Sequence, residues 1–219
     1  MKKTLLYVLC ILFVLLSLGC SAEKSAVFFS DNQLSAMGNT VECALDLLEL
    51  HEDDAVVDTP LGYFGKNAPG TAGDSPSDIT RAYKQTVSFC GKQLSAYAVF
   101  KIEEDEMFFY GAEDPLPDSE EYYTYVEQCA AALCEQFGVP YSYTVNGTGY
   151  ACGDGNAAPD YQALFSDFIA GKENDSLQFQ WINPHENVGK IEYRVTKQSD
   201  GFLLSVRMYV DDFFTIEDS

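Results

Sequence analysis

The side chains that could perform chemistry in this sequence of 219 residues are few and widely spaced. Only two histidines are present, His51 and His185, and the sequence around them contains no metalloprotease or serine-hydrolase motif. Cys90 with His185 would supply a nucleophile and a base, but nothing in the spacing brings them together. A pair of catalytic carboxylates also stays open, because the chain has 34 acidic residues. We therefore expect a protein without catalytic activity, with a small secreted hydrolase-like enzyme as the alternative.

Acidic residues also occur in short runs, which is the composition that calcium sites use. Most of these runs fall at expected turns and helix ends, where solvated carboxylates are ordinary. The segment Asp154–Asn156 resembles the start of a calcium loop, but no Glu stands at the twelfth position of that loop. We predict neither a metal site nor a cofactor.

The first 19 residues have the composition of an export signal. A positively charged start, Met1–Lys3, precedes the almost entirely apolar stretch Thr4–Gly19. This order directs a chain across the cytoplasmic membrane, and the stretch is short for a permanent spanning helix, which needs about 20 residues. We predict that residues 1–19 are a signal peptide and that the remainder is extracytoplasmic.

The residues Leu16-Ser17-Leu18-Gly19-Cys20 resemble the lipobox of bacterial lipoproteins, with the small residue and the second leucine in exchanged order. The resemblance covers the first 20 residues only. It implies cleavage before Cys20, a diacylglyceryl group on the Cys20 sulfur, further acylation of the palmitate type, and residues 20–26 as a tether. Two alternatives remain, cleavage after Ala22 or an uncleaved anchor, and both also place the rest of the chain outside the membrane.

The other cysteines give no metal pattern. Of the seven, Cys10 lies in the predicted signal and the resemblance implies a lipid on Cys20, which leaves an odd number and hence at least one free thiol. We expect small buried apolar side chains, while one or two disulfides of unknown connectivity stay open. The five remaining cysteines are Cys43, Cys90, Cys129, Cys134 and Cys152.

Charge and composition restrict the partners. The formal net charge is -21, with 13 basic residues, so the chain lacks the cationic surface that nucleic-acid binding requires. A hydrophobic content of 47%, with 14% aromatic residues, predicts a packed core instead of a disordered acidic chain. The expected partners are the membrane, through the lipid anchor, and an extracytoplasmic protein or small ligand.

Apolar residues recur every three or four positions in three segments, which predicts three helices. Ser30 with Gln33 forms a capping box for the first helix, and Asp118 with Glu121 is the equivalent pair for the second. The expected helices are Asp31–His51, Ser119–Phe137 and Pro159–Ala170.

The clearest hairpin lies near the end of the chain. Apolar and polar residues alternate over 190–196 and again over 202–210, and Asp200-Gly201 provides the turn. Other strand-like runs cover 85–89, 94–102, 107–111 and 177–181.

Features after the first two helices repeat. Gly62-Tyr63 aligns with Gly149-Tyr150, and Asn67–Pro69 aligns with Asn156–Pro159. This similarity predicts an internal duplication of an α-β-(α)-β-β-β unit. The fold class is therefore α+β, an antiparallel sheet with helices packed on one face. We place the first half at 27–116 and the second at 117–219, with Asp114–Asp118 resembling a linker and the halves packed together.

Tyrosines offer a candidate binding surface, because they combine a large ring with a hydroxyl that can remain solvated. The candidates are Tyr63, Tyr150, Tyr123 and Tyr125. We predict a lipid-anchored lipoprotein of the binding or interaction type. An inhibitor-like module is the further alternative, by analogy of fold only.

Overall fold

A computed structural model describes residues 28–60, 79–152 and 160–210. These residues form an α+β fold with one nine-stranded sheet and four α-helices. Within them, no helix is long and apolar enough to cross a membrane. The elements in chain order are α1 (Asp31–Ala36), α2 (Val41–Leu48), a 3-10 turn (Glu52–Asp54), β1 (Ala55–Pro60), β2 (Ile79–Phe89), β3 (Lys92–Lys101), β4 (Glu106–Pro117), α3 (Glu120–Phe137), β5 (Ser142–Val145), β6 (Thr148–Ala151), α4 (Tyr161–Ala170), β7 (Ser176–His185), β8 (Val188–Gln198) and β9 (Gly201–Tyr209).

The sheet is antiparallel, and its two halves meet in the middle. The strand order is β1-β2-β3-β4-β9-β8-β7-β5-β6. From either edge towards the centre, β1-β2-β3-β4 corresponds to β5-β7-β8-β9, with β6 added outside β5. This is the order that an internal duplication predicts, and the two halves share one continuous sheet.

The hydrophobic core lies on one face of this sheet, under the helices. On β3 the core residues are the even-numbered ones, such as Ala96 and Phe100, and the register carries the same face across to Val206 and Tyr193. Helical residues such as Leu133 belong to the same cluster. The opposite side of the sheet, which we call the second face, carries the alternate residues of each strand.

The segment predicted as one helix over Asp31–His51 is two helices, so that prediction is wrong. Gly38 interrupts it with a φ of +72°, a conformation that favours glycine, and Thr40 then caps α2. The broken turn pairs with β4, because Gly38 N donates to the Met107 carbonyl at 2.8 Å and Met107 N donates to the Asn39 carbonyl at 2.9 Å. The predicted capping box of Ser30 and Gln33 at the start of α1 is confirmed.

The other predicted helices are confirmed, with shifted starts. The N-cap of α3 is Ser119 and not Asp118, whose carboxylate accepts a hydrogen bond from the Tyr123 hydroxyl instead. Helix α4 begins at Tyr161, with the carboxylate of Asp160 accepting from Ala163 N. The predicted hairpin is β8 and β9.

The segment predicted as a linker, Asp114–Asp118, instead contributes Asp114–Pro117 to β4, a central strand that joins the halves. Val210 N donates to the Phe108 carbonyl, so the even-numbered residues of β4 present their backbone groups to β9. The missing N–H groups of Pro115 and Pro117 therefore point to the β3 side, where the register with β3 runs only as far as Ala112.

Replacing Gly111 by alanine is expected to destabilise this seam. A Cβ at position 111 would lie 2.6 Å from the Val206 carbonyl oxygen and 3.2 Å from Arg207 Cα, so the backbone of β9 must move. We expect a loss of about 1–3 kcal/mol in the free energy of unfolding, measured by urea denaturation. Gly149→Ala is the control, because its nearest contact is an ordinary 3.7 Å. Equal losses for the two variants would contradict close packing at the seam.

Candidate functional site

Three of the four tyrosines proposed from the sequence lie in the described residues, and their environments differ. Tyr125 is only 3% exposed, and its hydroxyl donates to the Phe89 carbonyl at 3.1 Å, so its assignment to a binding surface is wrong. Tyr123 is half-buried, with its ring 4.8 Å from that of Phe202. Tyr150 is exposed on the outer strand β6, where it stacks on Tyr143. Tyr63 and Cys20, the predicted lipidation site, lie outside the described residues.

The structure also separates the candidate catalytic pair. Cys90 follows the end of β2 that pairs with Lys92, whereas His185 ends β7 beside Val188. The register across β3, β4, β9 and β8 places these two ends at opposite ends of the sheet. The backbone N–H of Asn187 donates to His185 Nδ1 at 3.3 Å. His51 is exposed after α2, and its backbone N–H donates to Asp54.

All five cysteines of the described residues are free thiols, and their environments differ. Cys129 is buried, as expected for a small apolar side chain, whereas Cys43 is exposed and does not fit that expectation. Burial raises the pKa of Cys134 to about 11. Among the described residues, no group of three or more His, Cys, Asp or Glu side chains is placed to hold a metal ion.

Charged and polar side chains gather at the centre of the second face. They lie on three neighbouring strands, because the register pairs Arg207 with Glu192 on one side and with Gly111 on the other. We call this group the polar cluster. Its members are Glu113, Lys190, Glu192, Arg194, Ser205, Arg207 and Tyr209.

The cluster is held by two ion pairs, of which the Lys190–Glu192 pair is buried and the Arg207–Glu113 pair is partly exposed. Lys190 Nζ lies 3.4 Å from a Glu192 carboxylate oxygen, and their side chains are 1% and 8% exposed. Arg207 pairs with Glu113 across the seam at 2.5 Å. Lys190 Nζ also lies 5.3 Å from the centre of the Tyr209 ring, which is a cation–π distance. Burying charged groups costs free energy even when they are paired, so this arrangement is unusual for a merely structural sheet face.

Buried donor atoms of the cluster without a hydrogen-bond partner in the part of the chain that the structure describes include Arg194 Nε and Ser205 Oγ, on residues that are directly paired across β8 and β9, and the Tyr209 hydroxyl. Arg194 as a whole is half-buried. A buried donor without a partner costs about 1–3 kcal/mol, and an acceptor group that reached these atoms would recover that free energy. Burial raises the pKa of Tyr209 to about 12, so its hydroxyl keeps its proton at neutral pH.

Half-buried amides and rings surround the cluster. Gln178 and Gln180 of β7 direct their amide nitrogens to the Glu192 carboxylate, at 3.1 and 3.4 Å. On the other side, the Phe109 ring packs edge-on against Tyr209 at 5.4 Å. The cluster thus has a polar border and an aromatic border, which is the composition of many small-molecule sites.

Sequence reasoning treated these residues only as the polar partners of an alternating strand. Lys190, Glu192 and Arg194 alternate with Ile191, Tyr193 and Val195, a pattern that predicts a solvated face. One feature of the sequence could have indicated the site. Three charged residues occupy successive outward positions of a strand whose inner side is fully apolar.

The chain matches no known protein family, and no curated protein or solved structure shows a match to it. The site must therefore be interpreted from its own geometry.

Proposed function

We propose that this chain is a lipid-anchored extracytoplasmic binding protein whose polar cluster binds a small ligand carrying a carboxylate. The observation that carries the ligand proposal is the pair of buried donors without partners, Arg194 Nε and Ser205 Oγ, on the face of the sheet opposite the helices. The export signal and the lipobox-like sequence ending at Cys20 support the anchor and the location.

Charge favours an acidic ligand. The cluster contains three positive side chains, Lys190, Arg194 and Arg207, and two negative ones, Glu113 and Glu192, although the chain as a whole has a net charge of -21. Arg207 is already paired with Glu113, which leaves the guanidinium of Arg194 as the group best placed to bind a carboxylate. Arginine suits this role because its planar fork matches the two carboxylate oxygens.

The ligand proposal predicts a specific response to 3-phenylpropionate, a small carboxylate with an apolar body. In an NMR titration of the detergent-extracted mature protein, we expect the carboxylate to shift the backbone amide signals of β8 and β9. The uncharged 3-phenylpropionamide, matched in shape, is expected to leave them unchanged. Arg194→Gln should weaken the carboxylate at least about tenfold, since a hydrogen bond to a charged group contributes about 1.5–3 kcal/mol.

Lys172→Gln is the matched control, because it removes one positive charge from an exposed loop after α4. It should leave the affinity for 3-phenylpropionate unchanged. Equal responses to the carboxylate and the amide, or an Arg194→Gln variant that binds as well as the wild type, would overturn the ligand proposal.

The anchor is tested separately by the intact mass of the membrane-extracted protein. We expect a chain that starts at Cys20 and carries a diacylglyceryl group, and we expect Cys20→Ala to abolish the adduct. A chain that still carries Met1, or one cut after Ala22 without lipid, would overturn the anchor while leaving the ligand proposal intact.

A further inference from the structure

A contact between two thiols joins the two halves of the fold. Cys90 lies in the turn between β2 and β3, in the first half, and Cys129 lies on the buried side of α3, in the second half. Their side chains interact with each other. One helical turn before Cys129, the Tyr125 hydroxyl donates to the carbonyl of Phe89, the residue next to Cys90. The turn and the helix are therefore fixed against each other beside the sulfur atoms.

We infer that Cys90 and Cys129 form a disulfide bond under oxidising conditions, and that this bond links the β2–β3 turn to α3. The inference is independent of the ligand proposed for the polar cluster. It concerns two thiols on the segments that the Tyr125–Phe89 hydrogen bond holds together, and oxidation would bring their sulfur atoms to an S–S bond length of about 2.05 Å. An extracytoplasmic location is where such bonds persist.

The two sulfurs have different roles in the reaction. The interaction with the Cys129 thiol lowers the pKa of Cys90, whereas burial raises the pKa of Cys129. Cys90 is also the more accessible of the two, half-buried where Cys129 is buried. Cys90 is therefore the nucleophile that meets an external oxidant, and Cys129 is the resolving thiol.

The oxidant is a small disulfide such as glutathione disulfide. The Cys90 thiolate attacks one of its sulfur atoms, so a mixed disulfide forms and one glutathione thiolate leaves. Cys129 then loses its proton and attacks the Cys90 sulfur, which forms the internal bond and releases the second glutathione thiolate. Overall, the two protein thiols lose two electrons and two protons, and the oxidant becomes two molecules of reduced glutathione.

The test is peptide mapping of the full detergent-extracted chain after incubation with glutathione disulfide. Without reduction, we expect a linked pair of peptides, one containing Cys90 and the other Cys129, and fragmentation must assign the link to Cys129 and not to Cys134. Oxidation should also raise the midpoint of thermal unfolding by about 5–10 °C. Dithiothreitol should reverse both effects.

Cys90→Ser is the informative variant, because it alters a half-buried turn and leaves the core of α3 intact. It should abolish the linked peptides and the gain in thermal midpoint. Cys43→Ser, at an exposed thiol, should change neither. The inference is overturned if Cys90 stays open to alkylation after oxidation of the folded protein, if it links to a different cysteine, or if the midpoint gain persists in Cys90→Ser.

Discussion

Replacing Phe179 by alanine is expected to remove about 3–5 kcal/mol from the free energy of unfolding. Phe179 is fully buried on β7, at a point where several aromatic residues of the second half pack together. Its ring lies 5.7 to 6.5 Å from five others, which connect it to β5, β7, β8 and α4. These neighbours are Tyr143, Tyr161, Phe165, Trp181 and Tyr193.

The large expected loss follows from the cavity that would remain. Five rigid rings and the backbone of β7 cannot collapse into the space that a phenyl ring leaves, so the variant loses the transfer free energy of the ring and also bears the cost of a cavity. Urea denaturation followed by tryptophan fluorescence measures the change, since Trp181 is the single tryptophan and is 6.3 Å from Phe179.

Two controls separate this cavity effect from a general loss of apolar area. Phe179→Leu keeps most of the volume and should cost clearly less than alanine. Tyr150→Ala removes a ring that is 45% exposed on the edge strand β6, so it should cost less than about 1 kcal/mol. If Phe179→Ala and Tyr150→Ala were equally destabilising, the ring cluster would not be the centre of the second half.

The parts of the fold that the sequence predicts well are those in which one local pattern decides the outcome. The β8–β9 hairpin follows from strict alternation and from Asp200-Gly201, and α3 follows from an apolar stripe that ends at Gly138. The continuous helix over Asp31–His51 failed because the apolar spacing continues through Gly38, although the backbone there is bonded to Met107 of a distant strand. A local pattern cannot report such a long-range contact.

The second prediction that failed was the linker at Asp114–Asp118, which contains two prolines. Two prolines so close together, Pro115 and Pro117, indicate a linker when they are considered alone. They are compatible with a central strand only because β3 stops pairing at Ala112 and the Ser95 N–H instead donates to the Asp114 carboxylate at 2.7 Å. That information depends on the register of three strands.

The candidate site was the least predictable part, for a related reason. The alternation of β8 places Lys190, Glu192 and Arg194 on one face, but it does not determine whether that face is solvated. Their burial depends on neighbours from β9, β4 and β7, which are brought together only by the assembled sheet. Tyrosines that the sequence suggested as exposed did not indicate the site, since Tyr125 belongs to the core.

The ion pair at the centre of the polar cluster should show strong energetic coupling in a double-mutant cycle. Glu192→Met alone removes the carboxylate that pairs with Lys190 and accepts hydrogen bonds from Gln178 and Gln180. The buried ammonium group of Lys190 then has one carboxylate fewer near it, and we expect the free energy of unfolding to fall by about 3–5 kcal/mol. Lys190→Met should have a similar cost, because it leaves the Glu192 carboxylate buried among fewer cations.

The double variant Lys190→Met/Glu192→Met should be much more stable than the sum of the single losses predicts, since it replaces two buried charges by apolar side chains of similar length. Lys101 with Glu104, an ion pair in the exposed β3–β4 turn, provides the control cycle and should show coupling of no more than about 1 kcal/mol. Coupling energies of similar size in the two cycles would contradict a desolvated pair.

The same double variant distinguishes a structural role of the cluster from a binding role. Its folded state retains the packing of the second face but loses two of the five charges that define the cluster. A stable double variant that no longer responds to 3-phenylpropionate would mean that these buried charges persist for recognition, at a cost in stability. A stable variant that binds as well as the wild type would limit the recognition site to Arg194 and its immediate partners on β9.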